Sequence, residues 1–220
     1  MNAELRLTED GSHTLFVPEI DECYHSSYGA IQESKHIFID RGLKFCSNIQ
    51  LNVLEIGFGT GLNAFLTLNE VVSSGQIINY TALEKYPVEH TLANQLNYAG
   101  LISPEHTAIF EKIHSSAWNE AIQLLPNYSL LKVETDFTTF DFSETYDVIY
   151  FDAFSPEKQA EMWTSNQFEK LYKCCNFGAV LITYCAKGIV RRAMQEAGFK
   201  VERLDGPLGK RHVLRGLKAS

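Results

Sequence analysis

The stretch LEIGFGTGLN, Leu54 to Asn63, sets three glycines at alternate positions directly after an apolar run. An apolar run closed by a turn reads as a buried strand, and glycines let the following backbone come close to a ligand. The strand is Leu51–Ile56, with one acid inside it, Glu55. Leu62–Val72 continues as a helix that starts within the loop. Downstream the pattern recurs. Ile77–Leu83 reads as a second buried strand ending in Glu84, and Val88–Tyr98 as a helix after Pro87. Two amphipathic pieces follow, around Glu105–Ile113 and Ala117–Leu124. Tyr128–Glu134 is a third strand, ending near Asp136, and Tyr146–Phe151 a fourth, ending in Asp152. Asn166–Cys175 is a helix, Ala179–Thr183 a fifth strand, and Ile189–Ala197 a helix closed by Gly198. Phe199–Leu204 and His212–Arg215 read as a final hairpin.

Strands alternating with helices predict an α/β fold with a mostly parallel, Rossmann-like central sheet and an antiparallel strand from the C-terminal hairpin. The residues before the first core strand mix β-like runs (TLFVP, HIFID) with the turn-prone SSYGA. The chain therefore reads as one domain, with a small N-terminal addition over residues 1–45 and a core over 46–220.

Composition narrows the classes. With 220 residues, 45% hydrophobic and 21% charged, the chain resembles an ordinary globular protein. The polar start MNAELRLTEDGSH lacks the features of a signal peptide, and no apolar run approaches the ~20 residues that span a bilayer. A cytoplasmic protein with no membrane partner is expected. The five cysteines are odd in number and contain no C-x-x-C pair, and the seven histidines show no H-x-x-x-H spacing. Neither a disulfide framework nor a metal site is expected. The net charge of −8 hides an asymmetry: Lys187–Ser220 holds nine Lys or Arg against three Asp or Glu, a net of +6, leaving −14 on residues 1–186. A basic tail on an acidic body suits an anionic partner on one side, or a solvated basic face.

In open α/β sheets, ligands sit beyond the carboxyl ends of the strands, where strand order reverses. Glu84, Asp136 and Asp152 would edge that crevice together with the loop Gly57-Phe58-Gly59-Thr60-Gly61. The dinucleotide fingerprint G-x-G-x-x-G has its third glycine one place later. The shorter G-x-G-x-G, preceded by Glu55, suits a ligand without a pyrophosphate, such as S-adenosylmethionine. Its amino-acid end can meet both backbone N–H groups and a carboxylate. Glu84 would accept hydrogen bonds from ribose hydroxyls, as in NAD enzymes too, and Asp136 would suit the adenine amine. A glycine turn that only packs strand on helix is the plain alternative.

FDAFSPEKQAEMW, Phe151 to Trp163, carries the chemistry. A carboxylate at Asp152 would face the transferable methyl group, orient an amine by hydrogen bonding and take up the proton that is lost. Phe154 would stack on a planar substrate. Asp152 as a simple helix cap is the competing role.

Five stretches occur in order: Tyr24–Ile39 (YHSSYGAIQESKHIFI), Leu54–Leu68, Ala82–Pro87 (ALEKYP), Tyr150–Trp163 and Thr183–Gly216. Together they resemble the methyltransferase half of the bifunctional enzymes of tRNA 5-methylaminomethyl-2-thiouridine biosynthesis, which are class I S-adenosylmethionine-dependent methyltransferases. The resemblance covers nearly the whole chain. It implies methyl transfer to the aminomethyl nitrogen of a wobble uridine in tRNA, with Asp152 in the active site. It places the cofactor at Glu55, Gly57, Gly59, Gly61, Glu84 and Asp136, and Gln32-Glu33-Ser34 matches a stretch near the cofactor.

In the bifunctional enzymes a flavin-dependent oxidase half first removes a carboxymethyl group. This chain, too short to hold that half, is expected to act on the aminomethyl form, with a separate oxidase as partner. Lys187, Arg191, Arg192, Lys210 and Arg211 would then neutralise tRNA phosphates. Tyr28, Phe154 and Trp163 are the aromatics available to stack on a splayed base, if they are not core residues. Two other functions fit the same loop. One is N-methyl or aminopropyl transfer to a free small amine, the other a cofactor-binding module without catalysis.

Overall fold

The computed structural model describes residues 2–219. Three short strands come first: β1 (Glu4–Leu7), β2 (His13–Val17) and β3 (Glu22–Cys23). They form a separate antiparallel sheet in the order β1-β2-β3. Helix α1 (Ala30–Ser34) follows and runs on as a π-helical segment, Lys35–Asp40. The β-like HIFID is therefore helical. Ile37, Phe38 and Ile39 are all buried, and the wider π turn advances each side chain by a smaller angle. Three successive apolar residues can then face one core, with Phe38 5.2 Å from the ring of Tyr150.

The central sheet is built from β4 (Gln50–Ile56), β5 (Ile77–Glu84), β6 (Ala121–Leu125), β7 (Tyr128–Glu134), β8 (Tyr146–Phe151), β9 (Cys175–Thr183), β10 (Lys200–Asp205) and β11 (His212–Leu217). Their order is β10-β11-β9-β8-β4-β5-β7-β6. The pairs β4–β5, β4–β8, β5–β7 and β8–β9 are parallel. Strand β11 runs antiparallel between β9 and β10, which is the hairpin expected from the sequence. From β4 the chain winds out to β7, then returns to β8 on the other side, so the order reverses between β4 and β8.

The main helices are α2 (Leu62–Ser74), α3 (His90–Ala93), α4 (Tyr98–Ile102), α5 (Thr107–Ser115), α6 (Ser165–Cys174) and α7 (Gly188–Glu196). Two buried clusters lie on the two faces of the sheet. One contains Val53, Phe65, Tyr80 and Tyr150; the other contains Leu54, Ile149, Phe151 and Phe168. Alternate residues of β4 and β8 thus feed opposite faces, as a strand buried on both sides requires.

Two segments differ from the sequence expectation. The predicted helix over Val88–Tyr98 survives only as α3 and the start of α4. Between them, Asn97 Oδ1 accepts from the His13 N–H at 2.9 Å and its Nδ2 donates to the Gly11 carbonyl at 2.9 Å. The side chain bonds to the N-terminal sheet and gives the local backbone an alternative to the helix. The second amphipathic piece contains strand β6, paired with β7 across the two-residue turn Pro126–Asn127. Ile122 and Leu124 are partly covered while Ala121 and Gln123 are exposed, a period of two.

The five cysteines are free thiols. Among the described residues, no helix is long and apolar enough to cross a membrane, and no three His, Cys, Asp or Glu side chains are grouped to hold a metal ion.

Candidate active site

A cavity of about 690 Å³ opens at the carboxyl ends of β4, β5, β7 and β8. Glu84, Asp136 and Asp152 all line it, together with Gly57 and Gly59. The three strand-end acids and the loop are thus gathered at the switch point.

The loop is tightly held. The Gly57 and Phe58 N–H groups donate to the Leu83 carbonyl at 3.0 and 3.2 Å. The Gly59 N–H donates to Glu84 Oε2 at 3.0 Å, and the Tyr86 N–H to Oε1 at 2.8 Å. Glu84 therefore joins the end of β5 to the glycine loop. Two glycines are required by space and by backbone. Gly57 has φ +91°, and a Cβ there would lie 2.6 Å from the Asp152 carbonyl oxygen. Gly59 has φ +49°, and its Cβ would meet the Tyr24 ring at 2.8 Å. Gly61 caps the start of α2 and does not line the cavity.

Asp136 accepts from Lys85 Nζ at 2.7 Å and from the Thr138 N–H and hydroxyl at 2.8 and 2.6 Å. The Lys85 hydrogen bond, then those of Thr138, hold its carboxyl down at about 2. It is ionised at any working pH, with lone pairs left for a further donor. Glu55 lies elsewhere. It is fully buried under the loop, accepting from Asn63 Nδ2 at 2.9 Å and from the Tyr80 hydroxyl at 2.9 Å. Burial pushes its carboxyl well above the ordinary range, against the lowering effect of the Asn63 hydrogen bond. It does not line the cavity.

Asp152 begins the second charged group. It follows β8 directly, its N–H bonded to the Ile56 carbonyl at 2.9 Å, and Asn63 Nδ2 donates to its Oδ2 at 2.8 Å. What exposure it has is to the cavity. Burial raises its carboxyl to about 7, against the lowering effect of the Asn63 hydrogen bond; Glu33 adds a smaller raising effect and Lys210 a lowering one. Glu33 is buried, accepting from the Ser26 N–H at 2.7 Å and pairing with Lys210 Nζ at 3.2 Å. Lys210 also lies 4.8 Å from the Tyr184 ring centroid. Its ammonium is turned into the cavity wall and is not free at the mouth. Lys187, Arg191 and Arg211 are exposed, with Lys187 paired to Glu157.

Phe154 lines the cavity, its ring edge-on to Tyr24 with centroids 5.0 Å apart. Trp163 is a core residue, 5% exposed, whose Nε1 donates to the Phe154 carbonyl at 2.8 Å; it supports the Phe154 loop from behind. Tyr28 is 42% exposed and packs beside Gly209. The N-terminal segment supplies one wall of the cavity through Glu22 of β3 and its neighbours Ile20 and Tyr24. Glu22 closes that wall, accepting from the Ser155 N–H at 3.1 Å and its hydroxyl at 2.9 Å. Glu22, Tyr24, Asn63 and Tyr184 escape a motif-based search. Asn63 stands two residues after Gly61, and that place beside the glycine loop was its only signal in the sequence.

With a glycine loop and three strand-end acids gathered at its switch point, this is a doubly wound α/β fold with its crevice where such folds take ligands. The chain belongs to the S-adenosyl-L-methionine-dependent methyltransferase family, whose model matches residues 110–219, half of its length. It is 32% identical to the tRNA 5-methylaminomethyl-2-thiouridine biosynthesis bifunctional protein MnmC of Cupriavidus metallidurans, over 96% of this chain and 33% of that protein. The chain spans about a third of the length of the curated relatives it matches. Among solved structures, MNMC2 of Aquifex aeolicus matches with a TM-score of 0.80 and 24% identity, over 100% of this chain and 72% of that one. Spermidine synthase of Thermotoga maritima matches with a TM-score of 0.58 and 12% identity, over 100% and 72%. These two likenesses concern the fold.

The cavity fits the family's cofactor. Glu84 and Asp136 stand on its strand-end rim as carboxyl acceptors, the glycine loop lines it through Gly57 and Gly59, and Asn63 Oδ1 is buried without a partner.

Proposed function

We propose that the protein methylates the aminomethyl nitrogen of 5-aminomethyl-2-thiouridine at the wobble position of tRNA. The observation that carries this reading is the carboxyl of Asp152, held by Asn63 and facing the cavity beside the glycine loop. Glu84 and Asp136 would hold the ribose and adenine of S-adenosylmethionine, which supplies an activated methyl on a sulfonium. Gly57 and Gly59 would let the loop backbone approach it, and Gly61 and Glu55 would support that loop from below.

The chain's own task is to prepare the nitrogen. The substrate amine arrives as an ammonium ion and must lose one proton before it can attack. Asp152 takes that proton and releases it to the cavity solvent; its raised affinity makes it a better base than an ordinary carboxylate. The restored carboxylate then accepts a hydrogen bond from the neutral amine. The bound cofactor would supply its methyl to the nitrogen lone pair, the C–S electron pair staying on a neutral thioether and the acceptor becoming a secondary ammonium.

Phe154 would face the base. The exposed Lys187, Arg191 and Arg211 would meet phosphates, while Lys210 would act inside the cavity, against Glu33. The free amine would come from a flavin-dependent oxidation carried out outside this methyltransferase fold. A small free amine is the competing acceptor, favoured by the acidic pair Glu33 and Asp152 inside the cavity and by the fold shared with spermidine synthase.

Labelled S-adenosylmethionine offered with tRNA bearing 5-aminomethyl-2-thiouridine, with fully modified tRNA and with putrescine separates these. Transfer to the first alone supports the proposal; transfer to putrescine alone overturns it. Two further results are expected. Asp152 is ionised only as pH rises through about 7, so the rate under kcat/KM conditions should fall tenfold per unit on the acid side of an inflection near 7; a flat profile from 6 to 8 removes Asp152 as the titrating group. Replacing Arg191 and Arg211 together by alanine should weaken tRNA binding and reduce the slope of log Kd against log salt by about 1 for each phosphate left without its cation. An unchanged slope takes the basic tail out of the tRNA interface.

A further inference from the structure

Asn63 sits in the first turn of α2 and is 2% exposed. Its Nδ2 donates to two carboxyl groups at once, Glu55 Oε1 at 2.9 Å and Asp152 Oδ2 at 2.8 Å. Both protons of the amide are thereby used. Its Oδ1 is buried with no hydrogen-bond partner, although the residue lines the cavity. A buried acceptor left empty costs stability unless a donor arrives with a ligand. The opposite orientation of the amide would set an oxygen against the Asp152 carboxylate, so the contact to Asp152 fixes which atom is free.

We propose that Asn63 fixes how many methyl groups the acceptor receives: its Nδ2 clamps Asp152, and its Oδ1 accepts the second N–H of the incoming amine. This rests on the N-methyl-transfer function proposed above. A neutral primary amine has two N–H groups and one lone pair. With one N–H on the free oxygen of Asp152 and the other on Asn63 Oδ1, only the lone pair is left, and its direction is set. The methylated product is a secondary amine with a single N–H. Rebound, it satisfies one acceptor and leaves the other empty, while its new methyl group takes the place of a hydrogen-bonded proton. The second transfer is disfavoured by the same two atoms that promote the first. An alcohol, with one O–H, fails by the same count.

The test uses the full chain, its Asn63→Ala variant and the isosteric Asn63→Asp, which keeps an acceptor oxygen but loses the amide donor. The ratio of second to first methylation is read by mass spectrometry of digested acceptor tRNA. The ionisation of Asp152 is read by carbon-13 carboxyl resonances in ligand-free protein. Asn63→Ala should slow the first transfer about tenfold and raise the ratio by at least about tenfold, the worth of one hydrogen bond. Asn63→Asp should keep the ratio near that of the parent. In both variants the Asp152 midpoint should move to higher pH, because a donor to the carboxylate is gone. A ratio unchanged in Asn63→Ala overturns the proposal, as does an Asp152 midpoint that stays in place. The carboxyl titration needs no acceptor, so it still reports on the clamp if the parent protein transfers nothing to aminomethyl tRNA, the result that defeats the functional assignment instead.

Discussion

Asp152→Ala is expected to slow methyl transfer by about 10²–10³-fold while the dissociation constant for S-adenosylmethionine stays within about threefold of the parent value. The asymmetry follows from position. Asp152 belongs to the charged group with Asn63, Glu33 and Lys210, whereas Glu84 and Asp136 occupy the ends of β5 and β7. Removing its carboxylate takes away the base for the amine and one of the acceptors that aim its lone pair. The glycine loop and the acids proposed to grip the nucleoside keep their partners. Rapid-quench single-turnover assays with labelled cofactor measure the first quantity, and calorimetric titration of the cofactor alone the second. If the variant folds but no longer binds cofactor, Asp152 has been given the wrong role.

Gly57→Ala should be strongly damaging at the cavity. It is expected to weaken cofactor binding by more than about 100-fold and to cost about 2–4 kcal/mol of stability. The added Cβ would lie 2.6 Å from the carbonyl oxygen of Asp152, and at φ +91° an L-residue is strained even without that contact. The obstacle is backbone on the neighbouring strand, so no rotamer change relieves it. Relief requires β4 and β8 to separate at the point where the cavity opens. Gly75→Ala is the control. It has φ +72° but open space around the added carbon, so it should cost about 1 kcal/mol and leave cofactor affinity unchanged. Thermal denaturation and the same calorimetric titration compare the two. Equal losses of affinity would mean that left-handed backbone strain in general, not the β4–β8 approach, governs binding.

The sheet was legible because its strands are buried on both faces. Leu51–Ile56, Ile77–Leu83, Tyr128–Glu134 and Tyr146–Phe151 are mostly apolar runs, and the last three are followed at once or within two residues by an acid on the cavity rim, Glu84, Asp136 and Asp152. That one contrast located the strands and the crevice together. HIFID misled for the same reason: an apolar run too short to show a period fits a strand or a buried helical turn equally well. The segment before Tyr128 hid its strand because alternation over five residues, Ala121–Leu125, is weak, and its decisive signal was the turn Pro126–Asn127. Within the site, the strand-end acids were accessible from sequence since their positions follow from the winding of the sheet. The pairing of Glu33 with Lys210 was not. It joins residues 177 positions apart, and charge alone suggested that Lys210 would face solvent and phosphate. Glu55 was equally ambiguous: an acid within a buried strand looks like a ligand until its neighbours, Tyr80 and Asn63, are seen to occupy it.

The contact between Glu22 and Ser155 spans 133 residues, and it has a consequence for a chain emerging from the ribosome. The strand that walls the cavity is made before the central sheet. The loop it fastens to is made only after β4, the glycine loop, β5, β7 and β8. Until then the early strand has nothing to close against, and a nascent chain that already holds β4, the glycine loop and β5 still presents an open groove. Affinity for the cofactor should therefore arrive late in synthesis, after most of the sheet is in place. For the same reason, a protease that nicks the N-terminal segment of the mature protein should remove that affinity well before it unfolds the rest.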